Sequence, residues 1–294
     1  MIFRIVSVGG LGDGLLLTPA LREIRERWPR AVTKVYCMNK GHFELFQNNP
    51  NIDVLKFATF RSAPLDYLRF HMRRTRFAGK ARFTGNWYGN YMPAQMGMPA
   101  TELIAEMTGL QLTNRKLEVF LTPAEDDEAR LLAARYSNPV AIHVTSNCSP
   151  NQNWPKYKWE ELARANPGYT FLQMGGRNEV RIDGTVDLRG ATSLRLSVGL
   201  LKYVKSFIGV VSFLAHATNA AGTPGVVLFG PSSPEVWGHP NNINISRHLR
   251  CAPCIDMLIG EPCPYGAPCL SEITVEQVSA ALAEQVHATN GHQK

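Results

Sequence analysis

Asp13 stands inside a run of glycines, Gly9-Gly10-Leu11-Gly12-Asp13-Gly14, that follows a short apolar segment. A strand that turns sharply into a helix needs glycines, and the amides and dipole at such a turn favour negative charge. The run lacks the third glycine of a dinucleotide-binding turn, and its carboxylate would repel a pyrophosphate. A carboxylate facing a cleft can instead take a proton from an attacking hydroxyl, which is general-base work. It can also simply cap a helix that starts at Gly14.

Four of the six cysteines, Cys251, Cys254, Cys263 and Cys269, crowd into nineteen residues, whereas Cys37 and Cys148 stand alone. Four thiolates at this spacing can close a tetrahedral structural Zn or Fe site, with Pro253, Pro262, Pro264 and Pro268 stiffening the turns. Reduced thiols and disulfides are the other states open to them. Elsewhere, Arg69, Arg73, Arg74, Arg76, Lys80 and Arg82 alternate with Phe70, Phe77 and Phe83. A solvated face is one explanation; contact with phosphates or carboxylates of an anionic acceptor is another. A nucleic-acid strand stacked on the aromatics is a third reading, held behind the other two. Trp87, Tyr88 and Tyr91, beside Gly85, Gly89 and Asn90, offer a sugar platform or an ordinary packed loop.

These residues need elements to position them. Residues 2–8 read as a strand, 15–28 as a helix, 32–38 as a second strand, 42–47 as a short helix and 54–57 as a third strand. A boundary falls near Lys116, where 117–121 form an extended link into a helix opened by Thr122-Pro123 and an acidic first turn. Strands then follow at 140–144, 170–174, 207–210 and 226–229, with helical patterns at 159–165, 194–204 and 213–221 and a last helix at 274–288. This rhythm predicts the α/β class with parallel strands. Two doubly wound domains, 1–116 and 117–294, are expected to face each other across a ligand cleft.

With 294 residues, 45% hydrophobic and 19% charged, the chain has material for real cores and is not a disordered polymer. A net charge of +7 favours anionic partners: nucleotides, phosphorylated glycolipids, nucleic acid, or the headgroups of a membrane touched peripherally. No run of about 18 apolar residues and no cleavable leader is present, so a cytoplasmic location is expected.

Residues 10–21, from Gly10-Leu11-Gly12-Asp13-Gly14 through Thr18-Pro19-Ala20-Leu21, resemble the opening motif of the bacterial heptosyltransferases, glycosyltransferase family nine. Asn49-Pro50-Asn51-Ile52-Asp53 resembles that family's second signature, and Asn153-Trp154-Pro155 followed by Trp159 resembles its donor-domain opening. Ser212-Phe213-Leu214-Ala215-His216, then Gly222-Thr223-Pro224 and Phe229-Gly230-Pro231, complete the likeness over nearly the whole chain. The resemblance implies two Rossmann-like domains facing a cleft, the GT-B type, with the first domain binding acceptor and the second binding nucleotide sugar. It implies inverting transfer with no catalytic cofactor, and usually an ADP-linked heptose donor and an acceptor such as lipopolysaccharide core.

By the same resemblance Asp13 matches the general base. The diphosphate is expected against Thr145 and Ser146 and at the helix start formed by Ser212, Phe213 and Leu214, with His216 one turn further in. The alternative for His216 is a core or capping histidine. Gln173 and Gly175, at the carboxyl end of a strand, are expected near the nucleotide base. Gln152 joins the donor set, and Gly12 joins Arg69, Arg73, Arg74 and Arg76 on the acceptor side. Two positions depart from the family pattern. Val211 and Phe213 replace an aspartate that can hold sugar hydroxyls and a glycine, and Gln152-Asn153 stand where some members carry a lysine. Phosphate charge is then expected to fall to Lys156, Lys158 or helix dipoles. A cysteine knuckle also occurs in relatives, some of which modify proteins. A protein or nucleic-acid acceptor, or a non-catalytic module that binds nucleotide sugar or anionic polymer, are the alternative functions.

Overall fold

The computed structural model describes residues 1–58, 97–107, 109–254 and 261–291, and these form two compact units, the first ending at Phe120 and the second taking Gly97 and the chain from Leu121 onward. The basic stretch with Arg69, Arg73, Arg74 and Arg76, and the aromatic cluster at Trp87, Tyr88 and Tyr91, lie outside the described residues.

The first unit contains β1 (Ile2–Ser7), α1 (Leu11–Leu16), α2 (Thr18–Arg27), β2 (Val32–Cys37), α3 (Lys40–Leu45), β3 (Val54–Phe57) and α4 (Ala100–Met107). Its described strands form one parallel sheet in the order β1-β2-β3. Burial alternates along β1 and β2, so Phe3, Ile5 and Ser7 and then Thr33, Val35 and Cys37 face inward. The helix expected over 15–28 is two helices, and the first begins at Leu11, inside the glycine run. The break falls at Leu17 because Pro19 has no N–H to donate and the Thr18 hydroxyl donates to the Leu15 carbonyl at 2.7 Å. α4 was not expected; it buries Leu103, Ile104 and Ala105 and packs against α2 and α1.

The second unit runs α5 (Pro123–Ala133), β4 (Pro139–His143), α6 (Lys156–Ala165), β5 (Thr170–Gln173), β6 (Val186–Asp187), α7 (Leu194–Leu201), β7 (Ser206–Val210), α8 (Phe213–Ala221), β8 (Gly225–Phe229), α9 (Pro234–Trp237), β9 (Asn242–Ser246), α10 (Pro268–Ser271) and α11 (Val275–Gly291). Its sheet is parallel throughout, in the order β6-β5-β4-β7-β8-β9. The chain thus walks outward from β4 through β5 to β6, then returns to the other side of β4 with β7. That reversal is the Rossmann order, and it opens a crevice beyond the carboxyl ends of β4 and β7. Every residue of β4, β7 and β8 is buried, as expected for strands covered on both faces.

The core gathers Val140, Ile142, Ile208, Val210, Val226 and Leu228 from the sheet with Trp159 and Leu162 of α6 and Val278 and Leu282 of α11. Trp154 and Trp159 pack edge to face with centroids 5.0 Å apart, and the Trp154 indole donates to the Ile273 carbonyl at 3.0 Å. The Asn-Trp-Pro opening therefore anchors the start of α6 to the segment that leads into α11.

Candidate active site

At the switch point three side chains from three segments meet. β4 ends on His143, and β7 runs through Val211 into Ser212, the N-cap of α8. The Ser212 hydroxyl does not cap its helix; it lies 2.8 Å from His143 Nδ1. The other ring nitrogen, Nε2, lies 3.2 Å from Glu179 Oε2, in the loop between β5 and β6. Glu179 also accepts from the Gly176 N–H at 2.7 Å and from Thr145. Burial pushes the Glu179 carboxyl up, but the His143 hydrogen bond and charge, with Gly176 and Thr145, outweigh it and hold the group below its ordinary value. Glu179 is thus an anion in the neutral range.

The turn that delivers Glu179 depends on glycine. Gly175 has φ +131°, and a side chain there would come within 2.8 Å of Glu179 Cδ. Beside this carboxylate a cavity of about 660 Å³ is lined by Thr145, Asn147, Asn153, Arg177, Asn178 and Glu179, among others. That size suits a nucleotide-scale ligand.

Only part of the donor set expected from sequence reaches this cavity. Thr145 is on its wall. Ser146 is buried, donating its N–H to Asn153 Oδ1 at 3.2 Å and its hydroxyl to Gln152 Oε1 at 3.3 Å. Gln152 is buried as well and donates to the Ser232 hydroxyl at 2.6 Å, so its amide serves the loop rather than an open site. Gln173, expected near the nucleotide base, is fully buried: its Nε2 donates to the Val180 carbonyl at 2.6 Å and its Oε1 accepts from the Ile182 N–H at 2.9 Å. Phe213 and Leu214 open α8, with Leu214 in the core. His216 takes the core alternative, for its Nδ1 meets His239 Nε2 at 2.9 Å and both rings are buried. Of the two lysines, Lys156 lines the cavity while paired with Glu160, and Lys158 is withdrawn, donating to the Ser271 and Ile273 carbonyls at 2.6 and 2.7 Å.

In the first unit, Asp13 occupies the third position of α1. Its N–H donates to the Gly10 carbonyl at 3.0 Å, and its Oδ2 accepts from the Gly10 N–H at 2.8 Å. The carboxylate therefore caps a helix that starts at Leu11, not at Gly14, while Gly12 lies half-buried in the same turn. Behind the turn, the His42 ring is buried between Ser7 and Gly10, with Nδ1 2.8 Å from Ser7 Oγ and Nε2 2.6 Å from the Gly10 carbonyl. A carbonyl only accepts, so Nε2 carries the proton and Nδ1 accepts from the Ser7 hydroxyl. Burial lowers the His42 pKa despite the bond to the Gly10 carbonyl, keeping the ring neutral. Gly14 allows this approach, since a Cβ there would lie 2.7 Å from the imidazole.

All six cysteines are free thiols. Burial raises Cys269 to about 11, and the charges of Cys254, Cys251 and Cys263 add to that rise; burial likewise raises Cys254, with Cys251 and Cys263 contributing. The four thus lie near enough to feel one another. Among the described residues, however, no group of three or more His, Cys, Asp or Glu side chains converges closely enough to hold a metal. The loop is tied to the donor side by Asn151, which accepts from the Cys263 N–H at 2.7 Å and donates to the Glu261 carbonyl at 2.8 Å.

Residues 98–263 match the profile of glycosyltransferase family 9 (heptosyltransferase), more than half of the chain. The chain belongs to that family. A lipopolysaccharide heptosyltransferase 2 of Salmonella typhimurium is 30% identical over 101 residues, a match covering 29% of this chain and 29% of that relative. Among solved structures, the ADP-heptose lipopolysaccharide heptosyltransferase II of E. coli superposes with a TM-score of 0.72 at 17% identity, covering 99% of this chain and 100% of the other. The iron-containing dodecameric glycosyltransferase TibC of enterotoxigenic E. coli gives 0.69 at 19% identity, covering 100% and 80%. At these identities the structural likenesses bear on fold, and they agree with the two Rossmann-like units of this family 9 chain.

His143 and Glu179 were missed in the sequence. The signal for Glu179 was its position three residues after Gly176, the spacing at which a carboxylate folds back on a turn amide. For His143 the signal was its place at the end of a strand beside Thr145 and Ser146, a position at which α/β sheets hold ligands.

Proposed function

We propose that the chain is an inverting glycosyltransferase that moves a sugar, heptose in the first instance, from an ADP-linked donor to an anionic acceptor such as lipopolysaccharide core. The observation that carries this reading is a nucleotide-sized cavity walled by Thr145 and Glu179, with His143 and Ser212 behind Glu179 at the switch point of a family 9 chain. Glu179 offers an anionic acceptor suited to ribose hydroxyls, and the first-turn amides of α8, which the Ser212 side chain leaves uncapped, suit a diphosphate. Relatives support the donor chemistry, since solved family structures include a heptosyltransferase with ADP and TibC with ADP-D-beta-D-heptose.

In this mechanism Asp13 takes the proton from the acceptor hydroxyl as its oxygen attacks the anomeric carbon from the face opposite the diphosphate. The bond to the diphosphate breaks, and its electrons leave with ADP, stabilised by the α8 amides. His42 keeps the Gly10 turn, and with it Asp13, in a fixed position. Arg69, Arg73, Arg74 and Arg76 are assigned to the anionic acceptor, with peripheral membrane contact where that acceptor is lipid-borne. A cytoplasmic setting fits the six free thiols. The four-cysteine loop is kept as a structural Zn or Fe site on the strength of its cysteine spacing and the iron-containing relative, against side chains that do not converge among the described residues, and no step of transfer runs through it.

The test is calorimetric titration with ADP-, UDP- and GDP-linked sugars. Selective binding of ADP-heptose is expected. Absence of binding by every nucleotide sugar would remove the donor site from the account.

A further inference from the structure

The hydroxyl-bearing N-caps of the second unit behave differently from one another. Thr122, Ser193 and Ser233 each accept from the N–H three residues on, at 3.2, 3.1 and 3.4 Å, as a capping side chain does. Ser212 occupies the same position at α8 in an extended conformation, yet its hydroxyl is turned to His143. The same imidazole is met on its other edge by the Glu179 carboxylate, whose own turn is built on Gly175 and Gly176. The His143 side chain is 11% exposed, and these two contacts engage both of its ring nitrogens. A carboxylate only accepts, so the nitrogen facing Glu179 carries a proton, which fixes which edge of the ring faces which loop.

Resting on the donor-site reading above, we propose that His143 is a positioning residue that sets both halves of the nucleotide site at once. Through Nε2 it orients Glu179 toward the nucleoside half of the cavity. Through Nδ1 it draws the Ser212 hydroxyl away from the cap of α8, so that the first-turn amides stay available to phosphate. Without that pull Ser212 would close on the Ala215 N–H, as its three counterparts do on theirs, and compete with an anion for the same amides. His143 itself touches neither the sugar nor the scissile bond.

The two arms can be cut separately, because the amide of asparagine reaches the position of Nδ1 and the amide of glutamine reaches that of Nε2. His143→Asn keeps Ser212 and loses Glu179; His143→Gln keeps Glu179 and releases Ser212. With ADP and AMP as calorimetric probes, His143→Asn is expected to weaken both ligands alike, by about tenfold, the usual scale for one hydrogen bond to a charged group. His143→Gln is expected to leave AMP within about twofold and to weaken ADP by about tenfold, lowering the ADP to AMP preference. Thermal midpoints taken alongside report on folding. Equal losses on both probes in both variants, or no loss in either, would overturn the positioning role while the native protein's ADP binding left the donor site standing. If the native protein bound neither probe, the donor-site reading would fall and the inference with it.

Discussion

At the scale of single residues, the capping by Asp13 and the base role proposed for it separate by mutation. One carboxylate oxygen accepts from the Gly10 N–H, and an asparagine in the same place can still offer an oxygen there but cannot take a proton. Asp13→Asn is therefore expected to keep its fold and its donor affinity while transfer drops by about two to four orders of magnitude, measured as turnover beside circular dichroism and calorimetry. Unchanged turnover would leave Asp13 a capping residue only. The acidic part of the loop was legible because a carboxylate among glycines is conspicuous in any sequence. Gln152 and Gln173 are residue types that bind ligands, and their partners Ser232 and Val180 come together with them only in the folded chain, out of reach of sequence reading. His216 is a similar case, since its partner His239 lies on another element. Burial pushes both of those rings down, so the folded protein refuses protons that the unfolded chain accepts. Their contribution is whole above the ordinary histidine value of 6.5 and is lost as pH falls below it. The urea midpoint should decline from pH 6.5 toward 4.5, and His239→Gln should make that decline shallower.

At the scale of elements, strands were legible both where burial is continuous, as in β4, β7 and β8, and where it alternates, as in β1 and β2. β9 was missed because only Ile243 and Ile245 of Asn242–Ser246 are apolar, too short a signal beside its asparagines, and β6 because two residues carry no period at all. The split between α1 and α2 was hidden because the apolar spacing continues through it. α5 shows how a legible signal fixes an element: Thr122 and Glu125 form a capping box, and Glu125 also pairs with the buried Arg195 of α7. The Arg195 bond, first among its causes, brings the Glu125 carboxyl down to about 2 from 4.5. Its stability contribution is present above pH 4.5 and is lost as pH falls toward 2, with solvent screening reducing it at this partly exposed carboxylate. Glu125→Ala should lower the denaturant midpoint at pH 7, and the gap to the native protein should narrow below pH 4.5.

At the scale of the whole molecule, the α/β class and two parallel-sheet units follow from alternation of strand and helix, and the second unit's strand order brings His143 and Ser212 together at the carboxyl ends of its central strands. No described helix is long and apolar enough to cross a membrane. The four-cysteine loop makes its own prediction at this scale. Protein purified without chelator should carry about one Zn or Fe per chain, and Cys254→Ser should lower the metal content and the melting temperature while leaving the rate per folded molecule unchanged. A metal-free preparation of full stability would restrict the loop to reduced thiols. The central claim is that this chain transfers sugar, and it is tested most directly by following ADP-heptose with a lipopolysaccharide-core acceptor, counting ADP released against sugar transferred and reading the anomeric configuration of the product. One ADP released per sugar transferred, with inversion, is the expected result. Donor that binds but is never consumed in the presence of acceptor would contradict it and leave a nucleotide-sugar binding module in its place.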